Sequence, residues 1–427
     1  RLLMDVIDII RSKRDGERLT DDQIDWFVAE FSRGGAIPDE QAAALAMAIY
    51  FQGMTRDELT TWNRAMVNSG TTLDLSGIGR PTVDKHSTGG VGDKVSLILV
   101  PLVAACGPAV PQLSGRGLGH GGGTLDKMEA IAGWRATLTA KEMVSQLRDV
   151  GGMIAAASTD LNPADRRLYQ LRDVTSTVDS IPLIASSIIS KKVAEGTEAL
   201  VLDVKTGSGA FMVDEDQARD LARTMVELGE DSGVATVALI TGMHTVLGQA
   251  AGNALEVAEA IDVLEGRGPD DVVEVTLALA REMLALIGID TDPAVVLATG
   301  EPREVFDRMV AAQGGDLSAG LPVARHRQEI VAPATGYLGR LDCRAVGVAA
   351  WRLGAGRARK EDLVSATAGV ICLAKPGDQV EVGQPLLELH SDDKGRFASA
   401  TAALDGAIEV VDKVPELPPL LIDRIAR

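Results

Sequence analysis

Composition sets broad limits on this chain of 427 residues, which carries a formal net charge of −19. Hydrophobic residues make up 46% of the sequence, enough for a large core, whereas aromatic residues make up only 3%. Such a chain does not fit a nucleic-acid binder, because nucleic-acid backbones require a cationic surface and their bases require stacking partners. The length predicts two or three domains.

The three cysteines, Cys106, Cys343 and Cys372, are isolated from one another and lie among apolar neighbours. Their spacing argues against a zinc site or a disulfide scaffold, so we expect buried thiols. The sequence has no apolar run of membrane-spanning length and no secretory signal. We therefore expect no membrane contact and a cytoplasmic location.

Helical periodicity dominates residues 1–70. Apolar residues recur at helical spacing in residues 3–10 and 24–31. Residues 20–23 match a capping box, and residues 37–40 predict the start of a further helix. Residues 41–54 are rich in alanine and apolar on most sides, which predicts burial and a face suited to a subunit interface.

From residue 81 the pattern changes to strands, glycine loops and helices. Residues 153–157, 200–204 and 234–240 are typical of interior strands, and helical segments separate them. This alternation predicts an α/β sheet. Between two of these strands, residues 162–196 are predicted to be helical and to return to the first domain.

From residue 323 the sequence becomes β-rich, with short strands predicted at residues 332–338 and 366–371. Residues 375–386 resemble the turn of a biotinyl or lipoyl carrier domain, but the lysine between methionines that such carriers modify is absent. We therefore expect a structural role. The predicted fold class is α/β with a separate all-helical domain and a C-terminal α+β domain containing a carrier-like, barrel-sandwich β element.

We predict three domains with the following boundaries. The helical domain comprises residues 1–70 and 162–196. The α/β domain comprises residues 71–161 and 197–322, and the C-terminal α+β domain comprises residues 323–427.

Two glycine-rich segments, residues 84–93 and 114–124, have a chemistry suited to an anion. Glycines let a backbone approach an anion and direct N–H groups toward it. Charged and hydroxyl side chains typical of a phosphate site accompany them: Lys85, Ser87, Ser96, Ser114 and Thr124. Neither segment has the spacing of a P-loop or a dinucleotide fold. Either loop alone is also compatible with a tight turn. The prediction of a phosphate site therefore depends on the presence of both loops together with these hydroxyl side chains.

A second group of side chains lies in the helical segment. Arg172 follows Tyr169 at i+3, and Lys191 follows Ser187 at i+4, so each pair shares a face if both segments are helical. A ring flanked by donors suits a flat heterocycle that forms hydrogen bonds. The alternative is that Arg172 pairs with a carboxylate and that Lys191 and Lys192 form a solvated charge pair.

These motifs together resemble the thymidine and pyrimidine nucleoside phosphorylase family. The resemblance is carried by residues 85–93, 114–129, 172–175 and 180–184, and it extends over nearly the whole chain. It implies reversible phosphorolysis of a pyrimidine nucleoside: orthophosphate attacks the anomeric carbon, the base leaves, and a pentose 1-phosphate of inverted configuration forms. Orthophosphate is then a co-substrate, and no cofactor is expected.

The resemblance also implies roles for individual residues. The phosphate ligands would be Lys85, Ser87, Ser96, Ser114 and Thr124. The pyrimidine edge would contact Arg172, Ser187 and Lys191, and the pocket would be lined by Tyr169, Leu118, Val178 and Ile184. Catalysis is expected from His86, Arg172 and Lys191. The two cations would stabilise charge on the departing base, and His86 would act as a general acid or, alternatively, hold its loop by a hydrogen bond.

The family resemblance implies a homodimer formed through helical domains, with the base bound on the helical side and phosphate on the α/β side. Some members ligate a monovalent cation, and the corresponding locus here would be Gly92, Leu247, Ala250 and Glu259. Lys94 stands where such members have a hydroxyl. We expect its ammonium to replace the cation and to pair with Glu259, so that no metal binds.

Several alternatives stay open at this point. The enzyme could be a broad pyrimidine-nucleoside phosphorylase that also uses uridine. An anthranilate-type phosphoribosyltransferase would need an acidic pair for magnesium pyrophosphate, which Asp203 and Asp93 do not convincingly supply. A nucleoside-monophosphate phosphorylase would carry an added N-terminal domain, which we do not expect here. A carrier or scaffold role for the C-terminal barrel would be revealed by attached biotin or lipoate.

Overall fold

The computed structural model describes residues 4–117, 119–359 and 362–427. Leu3 and Leu118, which the sequence analysis assigned to a helix and to the substrate pocket, lie outside the described residues. The helices, in chain order, are α1 (Val6–Arg14), α2 (Asp21–Ser32), α3 (Asp39–Gln52), α4 (Arg56–Asn68), α5 (Val95–Ala105), α6 (Thr124–Met128), α7 (Ala140–Asp149), α8 (Pro163–Thr175), α9 (Ile181–Ala194), α10 (Glu215–Asp231), α11 (Asn253–Leu264), α12 (Asp270–Leu286), α13 (Pro293–Ala298), α14 (Glu301–Ala312), α15 (Cys343–Ala350) and α16 (Phe397–Ala403).

The strands are short and alternate with these helices. In chain order they are β1 (Val83–Ser87), β2 (Val110–Ser114), β3 (Gly152–Ala156), β4 (Ala199–Thr206), β5 (Ala235–Gly242), β6 (Ala250–Gly252), β7 (His326–Val331), β8 (Gly336–Leu341), β9 (Gly369–Cys372), β10 (Gln379–Val380), β11 (Pro385–Ser391), β12 (Ile408–Val411) and β13 (Leu421–Ile425). A π-helical turn, Trp351–Ala355, follows α15, and 3₁₀ turns occur at Leu317–Ala319 and Lys394–Arg396.

The N-terminal helices begin where the sequence predicts. At the start of α2, the Gln23 backbone N–H donates to Thr20 Oγ1 (3.3 Å), and the Thr20 N–H donates to the Gln23 side chain (2.9 Å). This reciprocal capping box satisfies two N–H groups that the helix itself leaves unpaired. The predicted helix after Pro38 is likewise present as α3.

One hydrophobic cluster joins the N-terminal helices to the later helical segment. It contains buried residues of α1 to α4 together with Ala164, Leu168 and Leu171 of α8 and Leu183 of α9. Helix α8 therefore packs back on the start of the chain, whereas most buried apolar residues of α9 lie in a second cluster with α10, β4 and β5. Helix α3 buries one side only, since Phe51 is 75% exposed and Tyr50 is 38% exposed. The face of α3 that carries Tyr50 and Phe51 is therefore uncovered in the single chain, and its role as a subunit interface stays a prediction.

The predicted α/β sheet is present. Its strands follow the order β1-β4-β5-β13, with β1, β4 and β5 parallel. A parallel bridge between Thr82 and Ala109 ties the β2–β3 pair to the start of β1. Alternate residues of β4 face opposite helical layers: Val201 packs with α5, whereas Leu200 packs with α9 and α10. Layers on both faces explain why every residue of β4 is buried.

The sheet topology brings the glycine loops to one edge. Strands β1, β2 and β4 run in the same direction and end at Ser87, Ser114 and Thr206, and each end leads directly into a loop. In open parallel sheets, ligands bind at the carboxyl ends of the strands. The edge formed by these three loops is therefore the natural place for a functional site.

The C-terminal region contains two antiparallel sheets, ordered β10-β8-β12 and β6-β9-β11-β7. Strand β6 comes from the α/β segment, and β13 returns to pair with β5, so chain segments cross the predicted boundary at residue 323 in both directions. The predicted strand at residues 332–338 begins only at Gly336, with β8, and residues 332–335 form the turn that connects β7 to β8. Pro333 fits that turn because it has no N–H to donate to a sheet. The predicted strand at residues 366–371 begins only at Gly369.

The cysteines are free thiols. Cys343 and Cys372 are buried, as predicted, and Cys106 is partly buried. Burial raises the pKa of the Cys106 thiol to about 11 and that of Cys372 to about 12, so both remain protonated at neutral pH. Across the described residues, no helix is long and apolar enough to cross a membrane.

Candidate active site

The first cluster of predicted phosphate ligands lies on one face of β1 and at the start of α5. Because side chains alternate along a strand, Lys85 and Ser87 share a face. Lys85 is 1% exposed, and its ammonium donates to Ser96 Oγ in the first turn of α5 (3.1 Å). The structure therefore brings Lys85 and Ser96 together, although the first glycine loop separates them in sequence.

Asp93 organises the first glycine loop. The Ser87 hydroxyl donates to Asp93 Oδ2 (2.6 Å), and the Lys127 ammonium donates to the Asp93 backbone oxygen (2.6 Å). Burial acts to raise the pKa of the Asp93 carboxyl, but the ammonium groups of Lys205, Lys85 and Lys127 outweigh it, so this pKa lies below its usual range. Asp93 is thus a charged residue that orients the Ser87 hydroxyl.

The second glycine loop is anchored at both ends. Ser114 ends β2 and accepts a long hydrogen bond from the Gln112 amide (3.4 Å), and Thr124 begins α6. Within the loop, the Gly117 N–H donates to Asp126 Oδ2 (2.8 Å). Ser114 and Thr124 therefore flank a loop whose backbone is held by a carboxylate. No described side chain hydrogen-bonds to the Thr124 hydroxyl.

Buried lysines are unusually frequent in this protein, and all but one of those in the described residues pair with a carboxylate. The described residues include six buried lysines. Five form ion pairs with carboxylates: Lys13–Glu58 at 2.8 Å, Lys94–Glu259 at 2.5 Å, Lys127–Glu256 at 2.7 Å, Lys192–Asp84 at 2.6 Å and Lys205–Asp203 at 2.8 Å.

Lys85 is the exception. Within the described residues, no carboxylate oxygen lies within the 4.0 Å ion-pair distance of its ammonium, and burial lowers the pKa of this group below the usual lysine value. A buried ammonium without a hydrogen-bonded counterion is costly. Lys85 is therefore the buried lysine of the described residues that is not paired with an internal carboxylate.

Sequence reasoning missed a third loop at the same edge. The Lys205 N–H donates to Thr88 Oγ1 (2.9 Å), so the end of β4 is tied to the first glycine loop. Thr241 Oγ1 donates to Asp203 Oδ1 (2.6 Å), which fixes the carboxylate that pairs with the Lys205 ammonium. The available signal was the run of glycines and hydroxyls at residues 206–209 directly after a predicted strand.

The second half of the site lies on α8 and α9. The Lys191 ammonium donates to Ser187 Oγ (3.0 Å) and to Asp165 Oδ2 (2.9 Å). The predicted shared face of Ser187 and Lys191 is confirmed, but Asp165 was missed. Its position at i−4 from Tyr169 on the same helix face was the available signal. The alternative of a solvated Lys191–Lys192 pair is wrong, because Lys192 is buried against Asp84 and Glu195.

Arg172 closes the turn between α8 and α9. It is 1% exposed, and its guanidinium donates to three backbone oxygens, those of Thr177 (3.2 Å), Val178 (2.6 Å) and Leu183 (3.1 Å). The alternative of a hydrogen-bonded carboxylate partner is therefore wrong: the partners are the carbonyl groups of Thr177 and Val178 in the turn and of Leu183 in the first turn of α9. The guanidinium has more N–H donors than these bonds use, so it can still bind a further acceptor.

The predicted lining residues of the base pocket occupy different environments. Tyr169 is 38% exposed and Val178 is partly buried. Ile184 is buried in the cluster formed by α9, α10 and β4. Their role as pocket walls stays a prediction.

His86 lies partly buried on the opposite face of β1 from Lys85. Burial and the nearby ammonium groups of Lys192, Lys191 and Lys85 hold the pKa of the imidazole well below its usual value. The ring is therefore neutral at pH 7. A neutral imidazole donates one hydrogen bond and accepts another, but it does not carry a proton that it readily releases.

The predicted cation locus is occupied by a lysine. The Lys94 ammonium is fully buried, pairs with Glu259 Oε2 (2.5 Å) and donates to the Leu247 backbone oxygen (2.6 Å). The predicted pairing of Lys94 with Glu259 is confirmed. Gly92 and Ala250 lie against the same loop, since a Cβ built on Gly92 would approach the oxygens of Leu247 (2.6 Å) and Ala250 (3.0 Å). In the described part of the chain, no group of three or more His, Cys, Asp or Glu residues is placed to hold a metal ion.

Comparison with protein families divides the chain into three matches. Residues 7–70 match the helical bundle domain of a glycosyl transferase family, and residues 79–299 match the a/b domain of the same family. Residues 337–411 match the pyrimidine nucleoside phosphorylase C-terminal domain.

Two kinds of relative match nearly the whole chain. It is 56% identical over 418 residues to a thymidine phosphorylase of Mycobacterium tuberculosis, covering 98% of this chain and 97% of that protein. It is 45% identical over 434 residues to a pyrimidine-nucleoside phosphorylase of Staphylococcus aureus, covering 99% of each. Among solved structures, the anthranilate phosphoribosyltransferase from Thermus thermophilus matches with a TM-score of 0.58 and 19% identity, covering 72% of this chain and 99% of that one. At that identity the likeness concerns the fold alone.

Proposed function

The chain belongs to the thymidine and pyrimidine-nucleoside phosphorylase family, and we propose that it catalyses the reversible phosphorolysis of pyrimidine 2′-deoxynucleosides. Thymidine and phosphate would give thymine and 2-deoxy-α-D-ribose 1-phosphate. The observation that carries this proposal is the buried Lys85 ammonium, which has a hydroxyl partner but no carboxylate within ion-pair distance among the described residues. Phosphate is the anion that this site would take.

The phosphate half-site would supply charge and donors from four elements, β1, α5, β2 and α6. Lys85 and Ser87 come from β1, Ser96 from α5, and Ser114 and Thr124 flank the second glycine loop. The N-terminal N–H groups of α5 add partial positive charge beside Ser96. Held there, phosphate would present an oxygen to the anomeric carbon, and this orientation accounts for a large part of the expected acceleration.

The base half-site would act on the leaving group. Negative charge develops on the pyrimidine as the glycosidic bond breaks, and Lys191 and Arg172 would stabilise it through hydrogen bonds. Ser187 would hold the pyrimidine edge beside Lys191, since the two side chains already contact each other (3.0 Å). Asp165, which pairs with Lys191, would hold that ammonium in place until the base takes up negative charge.

His86 would contribute as a neutral hydrogen-bond donor. Its depressed pKa is unfavourable for a protonated general acid at pH 7. A neutral imidazole that donates an N–H to a base oxygen still favours the transition state, because that oxygen becomes more negative as the bond breaks. His86 would therefore stabilise the departing base by a hydrogen bond and not by transfer of a proton.

The phosphoribosyltransferase alternative is disfavoured by the pairing of its candidate carboxylates. Asp203 is paired with the Lys205 ammonium (2.8 Å), and Asp93 accepts the Ser87 hydroxyl. Both are therefore committed to internal cations or donors rather than arranged as an open acidic pair. A broader pyrimidine-nucleoside phosphorylase that also uses uridine stays the second candidate, supported by the 45% identity to a relative of that name.

The test is release of free base from thymidine, deoxyuridine and uridine, measured with and without phosphate. We expect base release only with phosphate, together with a stoichiometric pentose 1-phosphate of α configuration. The three rates separate a thymidine enzyme from a broad pyrimidine enzyme. Failure to cleave any of the three nucleosides, or cleavage that proceeds equally without phosphate, would overturn the proposal.

A further inference from the structure

A side chain from the C-terminal region reaches into the second glycine loop. Arg357 follows the π-helical turn and is 6% exposed. Its guanidinium holds the Asp126 carboxylate by two bonds, Nη2 to Oδ1 (2.7 Å) and Nη1 to Oδ2 (3.1 Å). Nη1 also donates to the Gly117 backbone oxygen (3.0 Å). This arginine therefore binds both the loop and the carboxylate that supports it.

The loop backbone is fixed at three points by this pair. The Gly117 N–H donates to Asp126 Oδ2 (2.8 Å), and the Gly117 oxygen accepts from Arg357. The Gly119 N–H donates to the Arg357 backbone oxygen (3.0 Å). A bidentate ion pair between a guanidinium and a carboxylate fixes the relative orientation of the two groups as well as their distance. The orientation of the loop backbone therefore depends on Arg357.

Two glycines of the same C-terminal segment approach the glycine loops closely. A Cβ built on Gly356 would lie 2.6 Å from the Gly119 oxygen. A Cβ built on Gly347, in α15, would lie 2.7 Å from a methyl group of Val91 and 3.0 Å from the His120 oxygen. The C-terminal region therefore packs directly on the backbone of the second glycine loop and on Val91 in the first.

We propose that Arg357 is a positioning residue that sets the affinity for phosphate by holding the second glycine loop in its binding conformation. This inference rests on the proposed function, because it takes phosphate to be the ligand of that loop. Backbone N–H groups bind an anion well only when they are already oriented toward it. The β-rich C-terminal region would thus stabilise the loop of the phosphate half-site in addition to forming its own core.

The first test is Arg357→Lys, which keeps the charge but removes the two-point contact. The matched control is Arg340→Lys, in the same region, where an exposed arginine donates to the Gly406 oxygen (2.7 Å) away from the loops. We expect Arg357→Lys to raise the KM for phosphate about tenfold or more, as is typical when a supporting hydrogen bond is lost. The KM for the nucleoside should change less than twofold, and the control should change neither.

A second variant removes the pair without leaving an unpaired charge. Arg357→Met combined with Asp126→Leu replaces both ions by apolar groups, an exchange that cores often tolerate. We expect a folded protein with weakened phosphate binding. An unchanged KM for phosphate in a folded variant, or an equal rise of both KM values, would overturn the proposal.

Hydrogen exchange on the unmodified protein provides a test that requires neither a variant nor turnover. Inorganic phosphate should slow exchange at residues 115–123 and also at residues 354–357. Protection confined to the loop would contradict the coupling, whereas a failure of the proposed reaction would appear separately as absent phosphorolysis.

Discussion

The two halves of the candidate site neutralise their cations in opposite ways. On the α/β side, Lys85 is buried with only the Ser96 hydroxyl as a hydrogen-bond partner among the described residues. On the helical side, Lys191 pairs with Asp165, and Arg172 is bound by three carbonyl groups. This difference matches the proposed ligands. Phosphate brings its own charge and can complete an unpaired site, whereas a pyrimidine is neutral until its bond breaks and must share donors that are already satisfied.

The largest effect is expected at Lys85. Lys85→Met should lower kcat/KM about 10³-fold, roughly 4 kcal/mol of transition-state stabilisation. Without phosphate, its Tm should equal or exceed that of the unmodified protein, because the variant removes a buried cation that lacks a carboxylate. Phosphate should then raise the Tm of the unmodified protein only. Calorimetry with and without phosphate provides the measurement.

The pH dependence of this stability difference has a definite sign. The pKa of Lys85 is lowered in the folded protein, so the unfolded chain binds more protons and stability rises with pH through that interval. The gain in stability from Lys85→Met should therefore shrink as the pH approaches the pKa of a lysine in the unfolded chain.

Lys13→Met is the control for the effect of Lys85→Met on stability. It leaves the Glu58 carboxylate, which lies 2.8 Å from the Lys13 ammonium in the unmodified protein, buried without that partner. This variant should lose about 3–5 kcal/mol of stability, and its phosphate affinity should not change. Equal destabilisation by Lys85→Met and Lys13→Met would contradict the difference between a buried lysine without a carboxylate partner and one with such a partner.

A smaller effect is expected on the helical side. Lys191→Met should lower kcat/KM for the nucleoside about 10²-fold, since it removes one donor to the developing charge. Asp165→Asn should lower it about tenfold, because the ammonium loses the partner that orients it. The KM for phosphate should not change in either variant. Lys141→Met, at an exposed position of α7, is the matched control, and comparable losses there would contradict the assignment of Lys191.

His86 lies near lysines of both halves, Lys85 and Lys191, and its substitution is expected to have a moderate effect. Because burial and three ammonium groups lower its pKa well below the usual value, kcat/KM should show no inflection from this residue between about pH 6 and 8. His86→Gln, which retains an N–H donor, should lose tenfold or less, and His86→Phe should lose more. An inflection near neutral pH that disappears in His86→Gln would instead establish a protonated acid.

The smallest effect on turnover is expected at the cation locus. Lys94→Thr removes the partner of buried Glu259 and should cost about 3 kcal/mol of stability. We expect potassium chloride to restore part of this loss, while choline chloride does not. Turnover at saturating potassium should stay within about threefold of the original, since the locus supports the loop rather than the substrates. A variant that neither loses stability nor gains potassium dependence would show that Lys94 does not replace a cation.

Local patterns allowed much of the fold to be predicted. The capping box at Thr20, the shared face of Ser187 and Lys191 and the interior strands β3 to β5 all follow from short-range periodicity and hydrogen bonding. The predicted strand at residues 332–338 begins only at Gly336 because apolar residues around a proline fit a turn as well as a strand. The local signals for the missed Asp165 and Lys205 were only a helical spacing from Tyr169 and the glycines and hydroxyls that follow residue 205, and neither signal identifies the residues that they meet in space.

The order of helices and strands, the two glycine loops and the types of side chain at the site could be predicted from the sequence, because they depend on residues close together in the chain. Which buried lysine lacks a carboxylate became visible only in the folded chain. Four of the other five pair with a carboxylate from a distant segment, as when Asp84 pairs with Lys192 and Glu259 with Lys94. The same holds for Arg357, which meets Gly117 across a sequence separation of 240 residues. Ion pairs in a core depend on which residues are close in three dimensions, and the order of neighbouring residues along the chain does not predict that.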